Sequence, residues 1–168
     1  VVAVADHGGA ITNEDGIDAF DLTDWVHQNG TVAGFPDAMW IDPDDFWSIQ
    51  SDILVPAALE NQITVDNVAQ IQARVVVEAA NGPTTLEAET ALTQRGIDVL
   101  PDILVNAGGV VVSYFEWLQN RSAEQWDLDD VDHRLRETLW RACDAVVNLR
   151  EELEVESRRD AAYALALR

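Results

Sequence analysis

Four apolar runs alternate with segments of helical pattern, and this alternation constrains the fold more than any other feature of the sequence. The runs that predict strands are residues 1–6, 51–57, 73–80 and 97–105. Parallel neighbours are joined by crossover connections, usually helices, so this order predicts a mostly parallel sheet with flanking helices. Beyond Trp117 the pattern is helical. We therefore expect an α/β chain with a helical C-terminal segment.

Capping residues place the predicted helices along the chain. Thr64 is expected to cap a helix over 64–72, and Thr84-Thr-Leu-Glu87 has the pattern of a capping box. Gly30 is expected to end a helix over 21–29, and Gly96 to end the helix that follows the capping box.

A long amphipathic helix is predicted after Asp127, which has the pattern of an N-cap residue. Its apolar residues recur at spacings of three and four and form one stripe: Leu135, Leu139, Ala142, Val146, Leu149 and Leu153. Cys143 lies in the same pattern and is expected to be a small buried residue.

The stretch Asn106-Ala-Gly-Gly-Val110-Val-Val-Ser113 combines an amide side chain, two glycines and a helix start. Asp102-Ile-Leu-Val105 is expected to end the last strand, after which the chain turns at Gly108-Gly109 into the helix. Glycines allow a ligand to approach the backbone, and the first N–H groups of a helix favour an anion. Val110 and Ser113 are three residues apart and share a helix face. Because ligands of open α/β sheets bind at the carboxyl ends of strands, this stretch is the candidate binding site.

Two further blocks precede the stretch from Asn106 to Trp117: Pro56-Ala-Ala-Leu-Glu-Asn-Gln-Ile-Thr64 and Glu78-Ala-Ala-Asn81-Gly-Pro-Thr-Thr85. In this order and at this spacing, the three blocks together resemble the coenzyme domain of hexameric glutamate dehydrogenases. Relatives that act on leucine, phenylalanine or valine share the Asn-Ala-Gly-Gly-Val core but typically lack the Asn-Gly-Pro-Thr-Thr and Ser-Tyr-Phe-Glu-Trp continuations. The resemblance therefore implies a Rossmann-like fold and the oxidative deamination of L-glutamate to 2-oxoglutarate and ammonia with NAD or NADP.

The resemblance also implies which residues bind the coenzyme. Asn81 and Asn106 would contact its ribose and nicotinamide end, and Ala57 and Ala58 would line the same groove. From the residues alone, the alternative for each asparagine is a strand-end residue or a left-handed turn residue.

Two residues are implied to bind the substrate. Val110 would pack near the reacting carbon, and Ser113 would hydrogen-bond the side-chain carboxylate of glutamate. The alternative for Ser113 is a hydroxyl bonded to its own helix backbone. Phe115 and Trp117 are expected to be core residues in either case.

Asp6 ends the first predicted strand, which we expect to be buried on both faces. In dinucleotide-binding folds, an acid that bonds the adenosine ribose lies about 20 residues after a Gly-x-Gly-x-x-Gly turn. The sequence contains no such turn, so the first strand and the glycine-rich turn are expected to precede Val1, in a chain truncated at both ends. The alternative for Asp6 is a turn or cap residue beside His7-Gly8-Gly9. Its charge would disfavour a 2′-phosphate and so favour NAD, an inference that His7 weakens.

The sequence contains no lysine, since all ten basic residues are arginine. Deprotonating an amine, polarising an imine and clamping two carboxylates are tasks for lysines and a catalytic carboxylate. The resemblance assigns these groups to a separate N-terminal domain, so we expect no catalytic residue in this chain and no activity from the chain alone. The three histidines lack metal-ligand spacing, and no metal site is predicted.

The net charge of −21, from 31 acidic and 10 basic residues, argues against nucleic acid or an anionic membrane as a partner. Disorder is excluded because 48% of the residues are apolar and fall in periodic blocks. We expect a halophilic protein, because high salt shortens the Debye length and screens the self-repulsion of its acidic surface. No apolar run is long enough to span a bilayer and no signal peptide is visible, which predicts a cytoplasmic protein.

We expect residues 1–120 to form a partial dinucleotide-binding domain and residues 121–168 to form helices packed on it. The resemblance also implies a homo-hexamer. Two alternatives for the function stay open: a non-catalytic nucleotide-binding or regulatory domain, and a fragment of another amino-acid dehydrogenase.

Overall fold

The computed structural model describes residues 1–168, which form two three-stranded sheets and six α-helices. The antiparallel sheet has the order β1 (Ala3–Asp6), β2 (Gly9–Thr12), β3 (Met39–Ile41). The parallel sheet has the order β4 (Ile53–Leu54), β5 (Val75–Val77), β6 (Asp98–Leu100). The helices are α1 (Ala19–Asn29), α2 (Leu86–Gln94), α3 (Asp102–Val105), α4 (Gly108–Ser122), α5 (Leu128–Leu153) and α6 (Arg158–Ala166). The predicted α/β fold with a parallel sheet, flanking helices and a helical C-terminal segment is confirmed.

The first strand, β1, is not the strand buried on both faces that the sequence predicts. It pairs antiparallel with β2, with Asp6 opposite Gly9, and none of its residues is fully buried. The two-residue turn at His7-Gly8 can join only antiparallel neighbours. Gly8 is required there because a Cβ would overlap the Thr31 side chain. β3, which no sequence pattern indicates, pairs with the other edge of β2.

β5 is the central strand of the parallel sheet, with β4 and β6 on either side. Its Val76 belongs to a core of nine buried residues that includes Ile71, Leu92 and Val99. Each such side chain contributes about 1.5–3 kcal/mol through burial. Because Leu92 lies on α2, this helix covers the sheet between β5 and β6, as the alternation predicts.

The prediction of a helix over 64–72 is wrong. The Asn67 side chain accepts a hydrogen bond from the Thr64 N–H (2.9 Å) and donates one to the Gln62 carbonyl (2.7 Å). Local side-chain bonds of this kind compete with helical hydrogen bonding. Only a 3₁₀ turn at Val68–Gln70 forms.

α2 begins one residue later than the capping-box pattern predicts. Its N-cap is Thr85, whose Oγ1 accepts from the Ala88 N–H (3.3 Å). Thr84 is buried and forms an isolated β-bridge with Ile63, which keeps it out of the helix. Gly96 follows the helix in a left-handed conformation (φ +74°), as predicted for the residue that ends it.

The last strand ends at Leu100 rather than at Val105. Pro101 has no N–H for a strand ladder, and the Asp102 N–H donates to the Glu78 carboxylate (2.9 Å) instead of to a neighbouring strand. The predicted strand end is therefore the short helix α3, and the chain leaves the sheet at Pro101 rather than at Gly108-Gly109.

The C-terminal helices follow the predicted pattern only in part. Asp127 caps α5 as predicted, because its side chain accepts from the Asp130 N–H (2.9 Å). Of the apolar stripe, only Val146 and Leu149 are buried. The expectation that Cys143 is buried is wrong, because this residue faces solvent. No helix is both long and apolar enough to cross a membrane.

Candidate functional site

The two predicted asparagines touch, although they lie 25 positions apart in the sequence. Asn81 follows β5, and Asn106 follows α3, which begins just after β6. The Asn106 Nδ2 donates to the Asn81 Oδ1 (2.7 Å) and to the Ala79 carbonyl (3.3 Å). Adjacent parallel strands end at the same edge of a sheet, which brings these two loops together. The two amides that the resemblance assigns to the coenzyme therefore lie together, while their role stays a prediction.

Each asparagine keeps one polar group free of hydrogen bonds within the chain. The Asn81 Nδ2 donates to no acceptor, and the Asn106 Oδ1 accepts from no donor. Asn81 is exposed and Asn106 is half-buried, so both free groups can be reached from solvent. The pair presents a donor beside an acceptor, which is the complement of a carboxamide or of a pair of hydroxyl groups.

Ala57 and Ala58 belong to the loop that follows β4. The Pro56 carbonyl accepts from the Ala79 N–H (3.1 Å) and the Ala80 N–H (3.0 Å), which ties this loop to the one that carries Asn81. Both alanines are exposed and leave room beside the backbone. We call the loops 56–58, 79–82 and 106–109 the strand-end rim.

Gly108 and Gly109 form the first turn of α4 with φ values in the negative range, and not the sharp turn that the sequence predicts. A Cβ at either position would meet no atom within 4 Å. No contact within the chain therefore requires glycine here, and the space beside the amide pair is open. The first N–H groups of α4 have no intrahelical partner, as at any helix start.

One face of α4 is open to solvent. Val110 is 75% exposed, and Ser113, one turn further on, is exposed as well. The Ser113 hydroxyl makes no hydrogen bond within the chain, whereas the Ser122 hydroxyl on the same helix donates to the Leu118 carbonyl (2.8 Å). The backbone-bonded alternative for Ser113 is therefore not what the structure shows.

Trp117 continues this open face and is not the core residue that the sequence predicts. It is 48% exposed, and its ring stacks on Tyr114 with the centroids 5.7 Å apart. The Arg121 guanidinium lies 4.8 Å from the centroid of the indole. Phe115, on the opposite side of α4, is buried as expected.

Asp6 lies at the end of β1 in the antiparallel sheet, and its carboxylate is engaged within the chain. Oδ1 accepts from the Gly8 N–H (2.8 Å) and the Thr31 hydroxyl (2.8 Å), and Oδ2 accepts from the Val32 N–H (2.9 Å). Burial alone would raise the pKa of Asp6, but these hydrogen bonds and the nearby His7 outweigh it and lower the pKa. The turn role weighed as the alternative is present, and a ribose contact would have to use the remaining lone pair of Oδ2.

A buried ion-pair cluster supports the strand-end rim. Arg159, in the first turn of α6, donates to Glu89 (2.6 Å), to Asp102 (2.6 Å) and to Glu78, which is fully buried. The Ser157 hydroxyl, which caps α6, also donates to Glu89 (2.9 Å). The ion-pair partners of Arg159 lie 57 to 81 residues away from it in the sequence, so no local pattern indicates this cluster.

The cluster holds its central groups in their charged forms. Burial alone would lower the pKa of Arg159, but hydrogen bonds to its three carboxylates outweigh burial and raise it. Burial alone would raise the pKa of Asp102, but hydrogen bonds from the Gly82 N–H and from Arg159 outweigh burial and lower it. The three carboxylates thus surround a permanent cation, and no group of three or more potential ligands is arranged to hold a metal ion.

Comparison with known proteins decides the family. The Glutamate/Leucine/Phenylalanine/Valine dehydrogenase family matches residues 1–168. The chain belongs to this family. The NADP-specific glutamate dehydrogenase of Synechocystis is 46% identical over 176 residues, which cover 99% of this chain and 41% of that protein. The NAD-specific glutamate dehydrogenase of Clostridioides difficile is 44% identical over 154 residues, which cover 92% of this chain and 36% of that protein.

A solved structure of the dehydrogenase family shows the same fold. The crystal structure of the hetero-hexameric glutamate dehydrogenase from Thermus thermophilus, in its leucine-bound form, matches with a TM-score of 0.90 at 32% identity. The match covers 99% of this chain and 39% of that one. The Rossmann-like fold is therefore confirmed, and the chain spans about two fifths of the length of these relatives.

Proposed function

We propose that this chain is the coenzyme-binding part of a glutamate dehydrogenase, which oxidises L-glutamate to 2-oxoglutarate and ammonia with a nicotinamide nucleotide. One observation carries the proposal: the Asn81 and Asn106 amides touch at the carboxyl edge of a parallel sheet and leave a free donor beside a free acceptor. Ligands of open α/β sheets bind at this edge. NADP-specific and NAD-specific enzymes both occur among the relatives, so either coenzyme is a candidate.

The strand-end rim would hold the coenzyme. Asn81 and Asn106 would bond the ribose and the nicotinamide end, and the small side chains of Ala57 and Ala58 would let the coenzyme pass close to the backbone. Asp6 would accept from an adenosine ribose hydroxyl through Oδ2, because its Oδ1 already accepts two hydrogen bonds.

The open face of α4 would supply one side of the substrate pocket. Val110 would pack against the reacting carbon of glutamate. The Ser113 hydroxyl, which has no partner within the chain, would donate to the side-chain carboxylate. Both positions are exposed and share one helix face, as this role requires.

Catalysis needs lysines, and this sequence has none. We propose that the remainder of a longer protein supplies the lysines and the catalytic carboxylate, and that these 168 residues alone catalyse nothing. Within the chain, residues 1–120 would bind the dinucleotide and residues 121–168 would pack on them. The whole protein would be cytoplasmic and form a homo-oligomer. The hetero-hexameric assembly of the Thermus enzyme supports six subunits.

The reaction is tested by coenzyme reduction in the whole protein. We expect L-glutamate to drive formation of NADH or NADPH, with leucine, phenylalanine and valine far less effective. Turnover of one of these three amino acids without turnover of glutamate would overturn the choice of substrate.

The substrate role of Ser113 is tested by Ser113→Ala in the whole protein. Loss of the hydroxyl should cost about 1–3 kcal/mol in glutamate recognition, because a buried carboxylate would be left without a donor. The measurement is KM for glutamate together with coenzyme affinity. Ser122→Ala is the matched control, since that hydroxyl bonds its own helix. Weakened coenzyme binding with unchanged glutamate saturation would show that the role is misassigned.

We also propose that the protein is adapted to high salt, on the strength of its net charge of −21. Raising KCl from dilute to molar shortens the Debye length and screens the repulsion between surface carboxylates. The Tm should therefore rise with KCl, as followed by circular dichroism. A Tm that falls over this range would contradict the proposal.

A further inference from the structure

The buried cluster reaches both loops of the amide pair through one residue, Asp102. Its Oδ1 accepts from the Arg159 Nη1 (2.6 Å), and its Oδ2 accepts from the N–H of Gly82, the residue after Asn81 (2.8 Å). Its carbonyl accepts from the Asn106 N–H (3.0 Å). The same aspartate therefore contacts Asn106 itself and the immediate neighbour of Asn81.

Arg159 fixes the orientation of that aspartate. Its guanidinium binds Oδ1, which also accepts from the Ile103 N–H (2.8 Å), and this leaves Oδ2 for Gly82. The guanidinium also binds the Glu78 carboxylate that accepts the Asp102 N–H. The Arg159 side chain is only 15% exposed. A planar guanidinium holds several acceptors at fixed angles, which a single ammonium group cannot do.

We infer that Arg159 is a positioning residue for the Asn81–Asn106 pair, an inference that rests on the proposed coenzyme site. Gly82 is exposed and has a left-handed backbone (φ +54°), and its N–H is held by the Asp102 carboxylate alone. Without Arg159, Oδ1 keeps only the Ile103 N–H, and the Asp102 carboxylate loses the partner that holds Oδ2 against the Gly82 N–H. The loop of Asn81 is then tied to the loop of Asn106 only through the exposed hydrogen bonds of the Asn106 side chain.

The test is Arg159→Lys in the whole dehydrogenase, with Kd for NADH and NADPH measured by fluorescence titration and Tm measured in parallel. We expect the coenzyme Kd to rise about 10- to 100-fold, because a lysine keeps the charge but not the fork, and misplacement of a binding group by about 1 Å has effects of this size. The matched control is Arg158→Lys. Arg158 is the preceding residue of α6 and pairs with Asp98 of β6. The Arg158→Lys substitution should lower Tm and leave the coenzyme Kd unchanged.

Asp102→Asn is the second variant, and it decides the matter if Arg159→Lys does not fold. It should raise the coenzyme Kd in the same way. The double variant should have a Kd no higher than that of the more affected single variant, because both changes break the same Arg159–Asp102–Gly82 connection. A folded Arg159→Lys or Asp102→Asn protein with unchanged coenzyme Kd would overturn the inference and leave the proposed function standing. An unaltered protein that binds neither coenzyme would overturn the proposed function, and the inference with it.

Discussion

Two glycine pairs, Gly8-Gly9 and Gly108-Gly109, look alike in the sequence but differ in what surrounds them. Each begins two residues after a polar residue, Asp6 or Asn106. At Gly8 a Cβ would overlap Thr31, and Gly9 adopts a positive φ of 140°, so the fold itself needs both glycines. At the second pair the backbone is helical and a Cβ would meet nothing.

The polar groups beside the two pairs differ in the same way. The Asp6 carboxylate takes three hydrogen bonds, one from Gly8 in the turn between β1 and β2 and two from Thr31 and Val32 in the loop after α1. The Asn81–Asn106 pair keeps a donor and an acceptor free. The comparison separates a carboxylate that the fold itself engages on both oxygens from an amide pair that is held in place and left open for a ligand.

The largest effect is expected from Arg159→Met, which tests the remote support of the second loop. Three carboxylates would lose their shared cation, and the free energy of unfolding should fall by about 3–5 kcal/mol, as for other broken buried pairs. Chemical denaturation measures the change. The control is Arg168→Met, which removes an exposed pair with Glu152 and should change stability little. Equal losses in both variants would mean that the cluster contributes no more than a surface pair.

Gly8→Ala tests the first glycine pair. Its methyl group would overlap the Thr31 side chain and displace the hydroxyl that donates to Asp6, so the free energy of unfolding should fall by about 1–3 kcal/mol. The same denaturation experiment measures it. Unchanged stability would show that the hairpin can shift to accept a side chain, and the contrast between the two pairs would then weaken.

The difference between the two loops also explains what the sequence could predict. Alternating apolar runs are enough to place the parallel strands, and Asn81 and Asn106 could be paired because adjacent strands end at one edge of a sheet. Residues 1–6 have the pattern of a buried strand, but the tight turn at His7-Gly8 pairs them antiparallel with β2 instead. The Arg159 cluster could not be predicted, because its members become neighbours only after the sheet and α6 have packed together.

Asp6→Asn sharpens the comparison through pH. The amide can accept on one side only, so the Val32 N–H would lose its partner, and stability at neutral pH should fall by about 1–2 kcal/mol. The pKa of Asp6 is lowered in the folded chain, so its stabilisation is fully present above the unfolded value of about 3.9 and is lost as pH falls through the folded value. The difference in unfolding free energy between wild type and variant should therefore disappear in acid. Asp24→Asn, at an exposed position, is the control, and a difference that persists in strong acid would contradict the assignment.

The smallest effect, and of opposite sign, is expected from Gly109→Ala. A Cβ at this position meets nothing within the chain, and alanine is favoured over glycine in a helix, so stability should rise by about 0.5–1 kcal/mol. Coenzyme binding should weaken, because the methyl group would occupy the open space beside the amide pair. Tm and coenzyme Kd should therefore both rise, so that the more stable protein binds its ligand less tightly. A purely structural effect would not raise both. A stabilised variant with unchanged coenzyme Kd would mean that no ligand uses this space, and that the second glycine pair is dispensable for binding as well as for the fold.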